Sequence, residues 1–173
     1  MTVAIRPTTQ DDAEALQALV GAVALERRYL GATRPFTVEQ TRSYLAHVQA
    51  GDGVALVATD SDRVVGWVDI VQGEYEGLTH DGRLGMGVAA DVRGRGIGPA
   101  LLREALQRGF ARFARIELEV FASNTRAHAL YLRTGFVEEG RRRRARVIDG
   151  TVDDILMLGL LREEWLATAH AQP

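Results

Sequence analysis

The chain has 173 residues, of which 46% are hydrophobic and 25% charged, the size and composition of a single domain spanning 1–173 with a full core. A net charge of −2 and a pI near 6.1 exclude any general attraction to polyanions, so nucleic acid is not expected as a partner and phosphate binding would have to be local. The absence of cysteine excludes disulfide and thiolate chemistry, and His47, His80, His128 and His170 lack metal-ligand spacing, so no metal is expected. Met1 to Gln10 carries no signal-peptide apolar core, and no run approaches the roughly eighteen apolar residues that cross a bilayer; a cytoplasmic protein without a membrane partner is expected. Every basic residue is arginine, a bias that reads as genome composition more than function.

Val3 to Arg6 alternates as a short first strand, Pro7-Thr8-Thr9 turns, and Asp11 or Asp12 is placed to cap a helix that carries Ala15, Leu16, Leu19, Val20, Val23 and Ala24 to about Arg28. A loop at Gly31 to Pro35 leads to Thr37-x-x-Gln40, a capping box opening a second helix to about His47, which Gly51-Asp52-Gly53 breaks. Val54 to Thr59 and Val64 to Val71 are β-rich and joined at Asp60-Ser61-Asp62, which predicts a hairpin. Gln72 to Asp81 is polar and loop-like. Leu84 to Val88, a helix from about Gly96 to Ala111, and Ile116 to Phe121 make a strand, a crossover and a strand, hence a parallel pair. Asn124 to Thr134 predicts another helix. Phe136 to Ile148 and Val152 to Leu158, joined at Asp149-Gly150, predict a closing hairpin, followed by a short helix around Arg162 to Ala167.

The segment Arg93-Gly94-Arg95-Gly96-Ile97-Gly98 lies between the third of these apolar runs and a helix start. The first N–H groups of a helix have no partner within it, and its dipole places about half a positive charge there. Glycines let backbone N–H groups approach oxygen atoms closely, and Arg93 and Arg95 would add mobile positive charge at the rim, so the loop is suited to a pyrophosphate. A Walker loop needs a lysine, which this chain lacks. Gly85-Met86-Gly87-Val88-Ala89-Ala90 matches the dinucleotide pattern letter for letter, but it overlaps a strand and runs into a second loop instead of a helix.

The spacing that fits is R-x-x-G-x-G, filled by Arg93, Gly96 and Gly98, and a second block follows it: Asn124-x-x-Ala127-x-x-Leu130-Tyr131-x-x-x-Gly135-Phe136. In these two blocks, and in their order, the chain resembles the GCN5-related N-acetyltransferases over Arg83 to Leu160. The resemblance implies an α/β fold with a mixed, splayed sheet of about seven strands and four to five helices on both faces. It also implies acetyl-coenzyme A as co-substrate, with Arg93 to Gly98 (Arg93, Gly94, Arg95, Gly96, Ile97, Gly98) at the pyrophosphate. The backbone of Met86, Gly87 and Val88 would lie along the pantetheine arm, as an added strand would. Gly85 and Gly87 suit such a close approach, or else relieve crowding in the core.

Tyr131 matches the position of the family's proton donor; a phenol with a reference pKa of about 10 stays protonated at neutral pH and can donate as a thiolate leaves. A tyrosine packed in the core is the other reading. Asn124 would contact the cofactor arm, cap its helix, or do both. Where many relatives carry a carboxylate base on the fourth strand, this chain has Gly82 and Arg83. His80 is therefore the favoured base, with Asp81, Glu74 and Glu76 as further candidates. Glu26, Tyr29 and Glu74 fall in regions that face substrate in the family. The arginines of 141–144 with Arg146 would serve an acidic substrate, a cofactor phosphate, RNA or a salt-bridged surface, with Arg142, Arg144 and Arg146 on one face of a strand. Family members are often dimeric, so a homodimer is a candidate assembly. The expected activity is acetyl transfer to a primary amine of a small molecule, amino acid or protein N-terminus; a non-catalytic acyl-coenzyme A sensor is the alternative.

Overall fold

The strand-forming segments pair into one sheet. In the computed structural model, which describes residues 3–51 and 53–170, its seven strands are β1 (Val3–Pro7), β2 (Val54–Asp60), β3 (Arg63–Gln72), β4 (Asp81–Val88), β5 (Arg115–Phe121), β6 (Val137–Ile148) and β7 (Thr151–Leu161). Their spatial order is β1-β2-β3-β4-β5-β7-β6, and every neighbouring pair is antiparallel except β4 and β5. Five α-helices accompany them: α1 (Ala13–Leu25), α2 (Val38–Ala50), α3 (Ile97–Gly109), α4 (Thr125–Thr134) and α5 (Arg162–His170). This is the expected mixed α/β architecture. Met1, Thr2, Asp52, the side chains of Ala169 and His170, and residues 171–173 lie outside the described residues. Among those described, no helix is long and apolar enough to cross a membrane, and no group of three or more acidic or histidine side chains is placed to hold a metal.

Strand parity sorts the two faces. Gly66 lies against Leu101 and Ile97 of α3, and Gly109 of α3 lies against Ile70 and Ile116, so the even-numbered positions of β3 and β5 face α3. They form the core: Val68, Ile70, Ile116, Leu118, Leu101, Leu102 and Leu106 are all buried. Odd positions of β3 face the other way, where Tyr44 of α2 reaches Asp69. Burial of these apolar side chains supplies the main driving force, at about 25 cal/mol per Å² of apolar surface.

Local signals set most boundaries. The capping box forms as expected: the Gln40 N–H donates to Thr37 Oγ1 at 3.1 Å and the Thr37 N–H to Gln40 Oε1 at 2.8 Å. Helix α1 departs from expectation at both ends. Asp12 stands at its N-cap position without bonding the helix; a short 3-10 turn, Gln10–Asp12, turns its carboxylate back onto Arg6 at 2.7 and 2.8 Å and onto the Thr9 N–H at 2.7 Å. At the other end α1 stops at Leu25, because Arg27 adopts a left-handed φ of 55°. The expected strict alternation of the β6 arginines also fails. Arg142 pairs with Ile155 and Arg146 with Asp153, so β6 carries extra residues in a bulge where Arg144 takes a φ of 55°.

Asp12 is buried, and Arg6 holds its carboxyl below the ordinary 3.8. Asp12→Ala should destabilise the fold by about 1–3 kcal/mol at pH 7 in urea unfolding. Because the folded-state value is lowered, this contribution is full above pH 4 and shrinks as pH falls through that value, so the gap between native and variant should narrow at pH 3.

Candidate active site

β4 and β5 pair through only three residues, Asp81↔Arg115, Gly82↔Ile116 and Arg83↔Glu117. Beyond Arg83 they part: β4 continues to Val88 on β3, whereas β5 continues to Phe121 on β7. From Leu84 to Val88 one edge of β4 thus faces a gap inside the sheet, a strip of backbone with no strand to pair it.

The glycine-arginine loop closes the wide end of this gap. Gly94 and Gly96 have φ of +86° and +83°, a region that strains other residues, and Gly96 is the N-cap of α3. No side chain caps that helix, and Pro99 at its third position has no N–H. The N–H groups of Ile97 and Gly98 therefore sit at the positive end of the dipole without a side-chain partner, a cradle suited to phosphate oxygen. A Cβ on Gly98 would lie 3.8–3.9 Å from Leu130 of α4 and from Met86 and Val88 of β4, so loop, strand edge and α4 meet at one spot. Arg95 is exposed there. Arg126, which was not singled out from the sequence, brings its guanidinium beside Gly94, 3.1 Å from where a Cβ would stand. Its signal was its place in the first turn of a helix opened by Asn124.

Arg93 is not the mobile rim charge expected of it. Its Nε–H donates to Val88 O at 2.9 Å, its two terminal nitrogens grip the Glu26 carboxylate at 2.7 and 2.6 Å, and its guanidinium lies 4.7 Å over the Tyr29 ring. The three residues named separately from the sequence thus form one cluster, fixing the end of β4 to the end of α1.

Tyr131 lies on α4, buried, its ring edge-on to Phe136 at 5.8 Å; burial pushes its phenol up to about 12, so it is a neutral donor at physiological pH. Asn124 caps α4, its Oδ1 accepting the Ala127 N–H at 3.3 Å. His80 and Glu74 are not brought to this place. His80 precedes the paired end of β4, its carbonyl accepting the Ala114 N–H at 2.9 Å, and Met86 lies six residue steps further along the strand, about 20 Å away. Glu74 follows β3 at that same end, beside His47 and Thr79. Asp81 is held there by Arg115 at 2.9 Å.

Across the gap from α3 lies the polar face. Gly87 leaves room for the Trp67 ring, into which any Cβ would run, and Gly85 leaves room for Asp69, whose Oδ1 would be 3.3 Å from a Cβ. The two glycines thus make space for β3 side chains to lean over β4. Asp69 is half-buried, accepts a hydrogen bond from the Tyr44 hydroxyl at 2.8 Å, and is pushed up to about 7 by burial, against the pull of that bond. Neither residue was singled out from the sequence; the signal was a lone carboxylate inside an apolar strand. Beside them Arg83 reaches across the start of the gap to Glu119 at 3.4 Å, and Arg142 reaches the same carboxylate from β6. Arg141 pairs with Asp154 at 3.3 Å, while Arg146, almost buried, lies 4.2 Å over Phe121 and donates to Arg27 O at 2.7 Å. Most of the arginine run is therefore engaged within the protein.

A mixed sheet that parts beside a helix N-terminus of this kind places the protein among the acyltransferases. Residues 19–136 match the acetyltransferase (GNAT) family, and the chain belongs to that family. A GNAT-family acetyltransferase from Streptococcus pneumoniae is 26% identical, with a TM-score of 0.87 over 92% of this chain and 99% of that one. The ribosomal-protein-alanine N-acetyltransferase of Brucella melitensis is 25% identical, with a TM-score of 0.86 over 91% and 99%. A putative acetyltransferase from Salmonella typhimurium, solved with its cofactor acetyl-CoA, shares the fold at 16% identity, with a TM-score of 0.89 over 94% and 95%.

Because Asp69 titrates higher in the fold than its ordinary 3.8, stability is lost progressively as pH rises from about 4 to about 7. Asp69→Asn should therefore melt above the native protein at pH 8.5, by a difference that shrinks as pH falls toward 4, in thermal denaturation followed by circular dichroism. A difference that does not change with pH would contradict the raised value.

Proposed function

We propose that the protein transfers the acetyl group of acetyl-coenzyme A directly to a primary amine carried by a small molecule, an amino acid or a protein N-terminus. The observation that carries this reading is the gap between β4 and β5, bounded by the Gly96 loop on one side and by α4 with Tyr131 on the other. The pyrophosphate fits against the Ile97 and Gly98 N–H groups, with positive charge from Arg95 and Arg126. The pantetheine arm fits along the free edge of Met86 to Val88, hydrogen-bonded as an added strand would be. Asn124 spends its carbonyl oxygen on the helix cap, which leaves its amide N–H groups for the arm. Membership of the acetyltransferase family and the acetyl-CoA seen with the Salmonella typhimurium neighbour support the donor; the name of the Brucella melitensis neighbour supports an amine as acceptor.

In this reading the nitrogen lone pair attacks the thioester carbonyl carbon, and Tyr131 protonates the departing sulfur. The phenol suits that role because burial keeps it neutral until the thiolate forms.

Acetyl-coenzyme A incubated with a panel of amines should release free thiol, and binding without release on any amine would instead mark a sensor. Tyr131→Phe should lower kcat by about a hundredfold or more while leaving acetyl-coenzyme A affinity unchanged; undiminished turnover would remove Tyr131 from this role. Gly96→Glu, which adds both a strained φ and a negative charge to the cradle, should abolish binding in calorimetry.

A further inference from the structure

From Val64 to Val71, β3 carries one charge, Asp69. A carboxylate in such a strand is unfavourable unless a cation or several N–H groups compensate it, and here nothing of the kind does. Among the described residues its side chain has one hydrogen-bond partner, the Tyr44 hydroxyl. The carboxylates around it are otherwise engaged. Glu119 lies between Arg83 and Arg142, Asp81, Glu117 and Glu139 share Arg115, and Glu26 is gripped by Arg93. Asp153 and Asp154 face Arg146 and Arg141. Asp69 is thus the carboxylate beside the gap that keeps no arginine.

Its position is as specific as its solitude. Asp69 stands opposite Gly85 in the β3–β4 register, and both its oxygens lie over that glycine. Gly85 is the second residue after the last β4–β5 pair, so the next strand is missing beside it. With strands about 4.8 Å apart, the carboxylate is about one strand spacing from the gap, within reach of a group there through one water.

We propose that Asp69 is the proton acceptor for the attacking amine and that Tyr44 is the residue that positions it. The assignment rests on the proposed function and completes it. Asp69 takes one proton from the ammonium form of the acceptor, directly or through a water. The freed lone pair forms the C–N bond as the C–S bond breaks. Tyr131 gives its proton to the sulfur and recovers one, through solvent, from the newly acylated nitrogen. The single net proton leaves when Asp69 deprotonates. The Tyr44 hydroxyl from α2 faces Asp69; Arg83 of β4 acts on that hydroxyl but is paired with Glu119 of β5, and the buried residues of α1 are uncharged. Its titration near neutrality suits a group that must be ionised before the amine arrives and protonated after it.

The test uses the full chain, acetyl-coenzyme A, and the amine from the panel that releases thiol fastest. The kcat/KM profile of the native protein should rise through an ascending limb near pH 7. Asp69→Asn should lower kcat about a hundredfold or more and remove that limb, with unchanged acetyl-coenzyme A affinity. Tyr44→Phe removes the bond that draws Asp69 downward, so its limb should move to higher pH and its rate approach the native one at pH 9. If Asp69→Asn fails to fold, the Tyr44→Phe profile decides alone: a moved limb supports the assignment and an unmoved one overturns it. Native kcat and an intact limb in Asp69→Asn would overturn this assignment and leave the proposed function standing. No thiol release by the native protein on any amine would overturn both.

Discussion

The structure depends on an interruption. β4 and β5 exchange hydrogen bonds over three residue pairs and then separate, and that separation gives the sheet an internal edge next to a helix N-terminus. A continuous parallel pair would satisfy the same backbone groups and leave nothing to bind with. Arginines hold the separated halves where hydrogen-bonded strands do not. Arg93 ties Val88 of β4 to Glu26 at the end of α1. Arg27, one residue further along, forks onto Asp149 in the β6–β7 turn at 2.7 and 2.6 Å, and Arg146 returns from β6 to the Arg27 carbonyl. The end of α1 thereby clamps both sides of the gap. Two-point grips of this kind suit a planar guanidinium and not an ammonium, so the absence of lysine has a structural use at these positions, whatever its origin.

The two faces of the sheet divide the labour of stability and chemistry. Even positions of β3, β4 and β5 pack against α3 as an apolar core. Odd positions carry Trp67, Asp69, Arg83, Glu117, Glu119 and Phe121, a polar floor that only α1 and α2 partly cover. Gly85 and Gly87 connect the two functions of β4. Side chains there would collide with Asp69 and Trp67, so their absence lets β3 reach over β4 toward the gap.

Much of this was legible in the chain itself. The capping box at Thr37, the Asp149-Gly150 turn, the β-rich runs of β2 and β3, and the loop from Arg93 to Gly98 are signals carried by residues within a few positions of one another. Local backbone preference and periodicity suffice to read them. The family blocks at Arg93 and Asn124 belong to the same class, since each is one turn or one helix long.

Where distant side chains end depends on the fold as a whole. Arg93 and Glu26 are 67 positions apart, Arg27 and Asp149 are 122 apart, and Tyr44 and Asp69 are 25 apart. His80 looked suitable by its side chain alone, yet the direction of β4 carries it to the closed end of the sheet. Asp69, within an apolar strand, offered no motif and is brought beside the gap by register with Gly85. The elements, the fold class and the phosphate-suited loop follow from local preferences and can be read from the residues alone. Which charges pair with arginine, and that Asp69 at the gap has only the Tyr44 hydroxyl, follows from strand register and from contacts between residues remote in the chain.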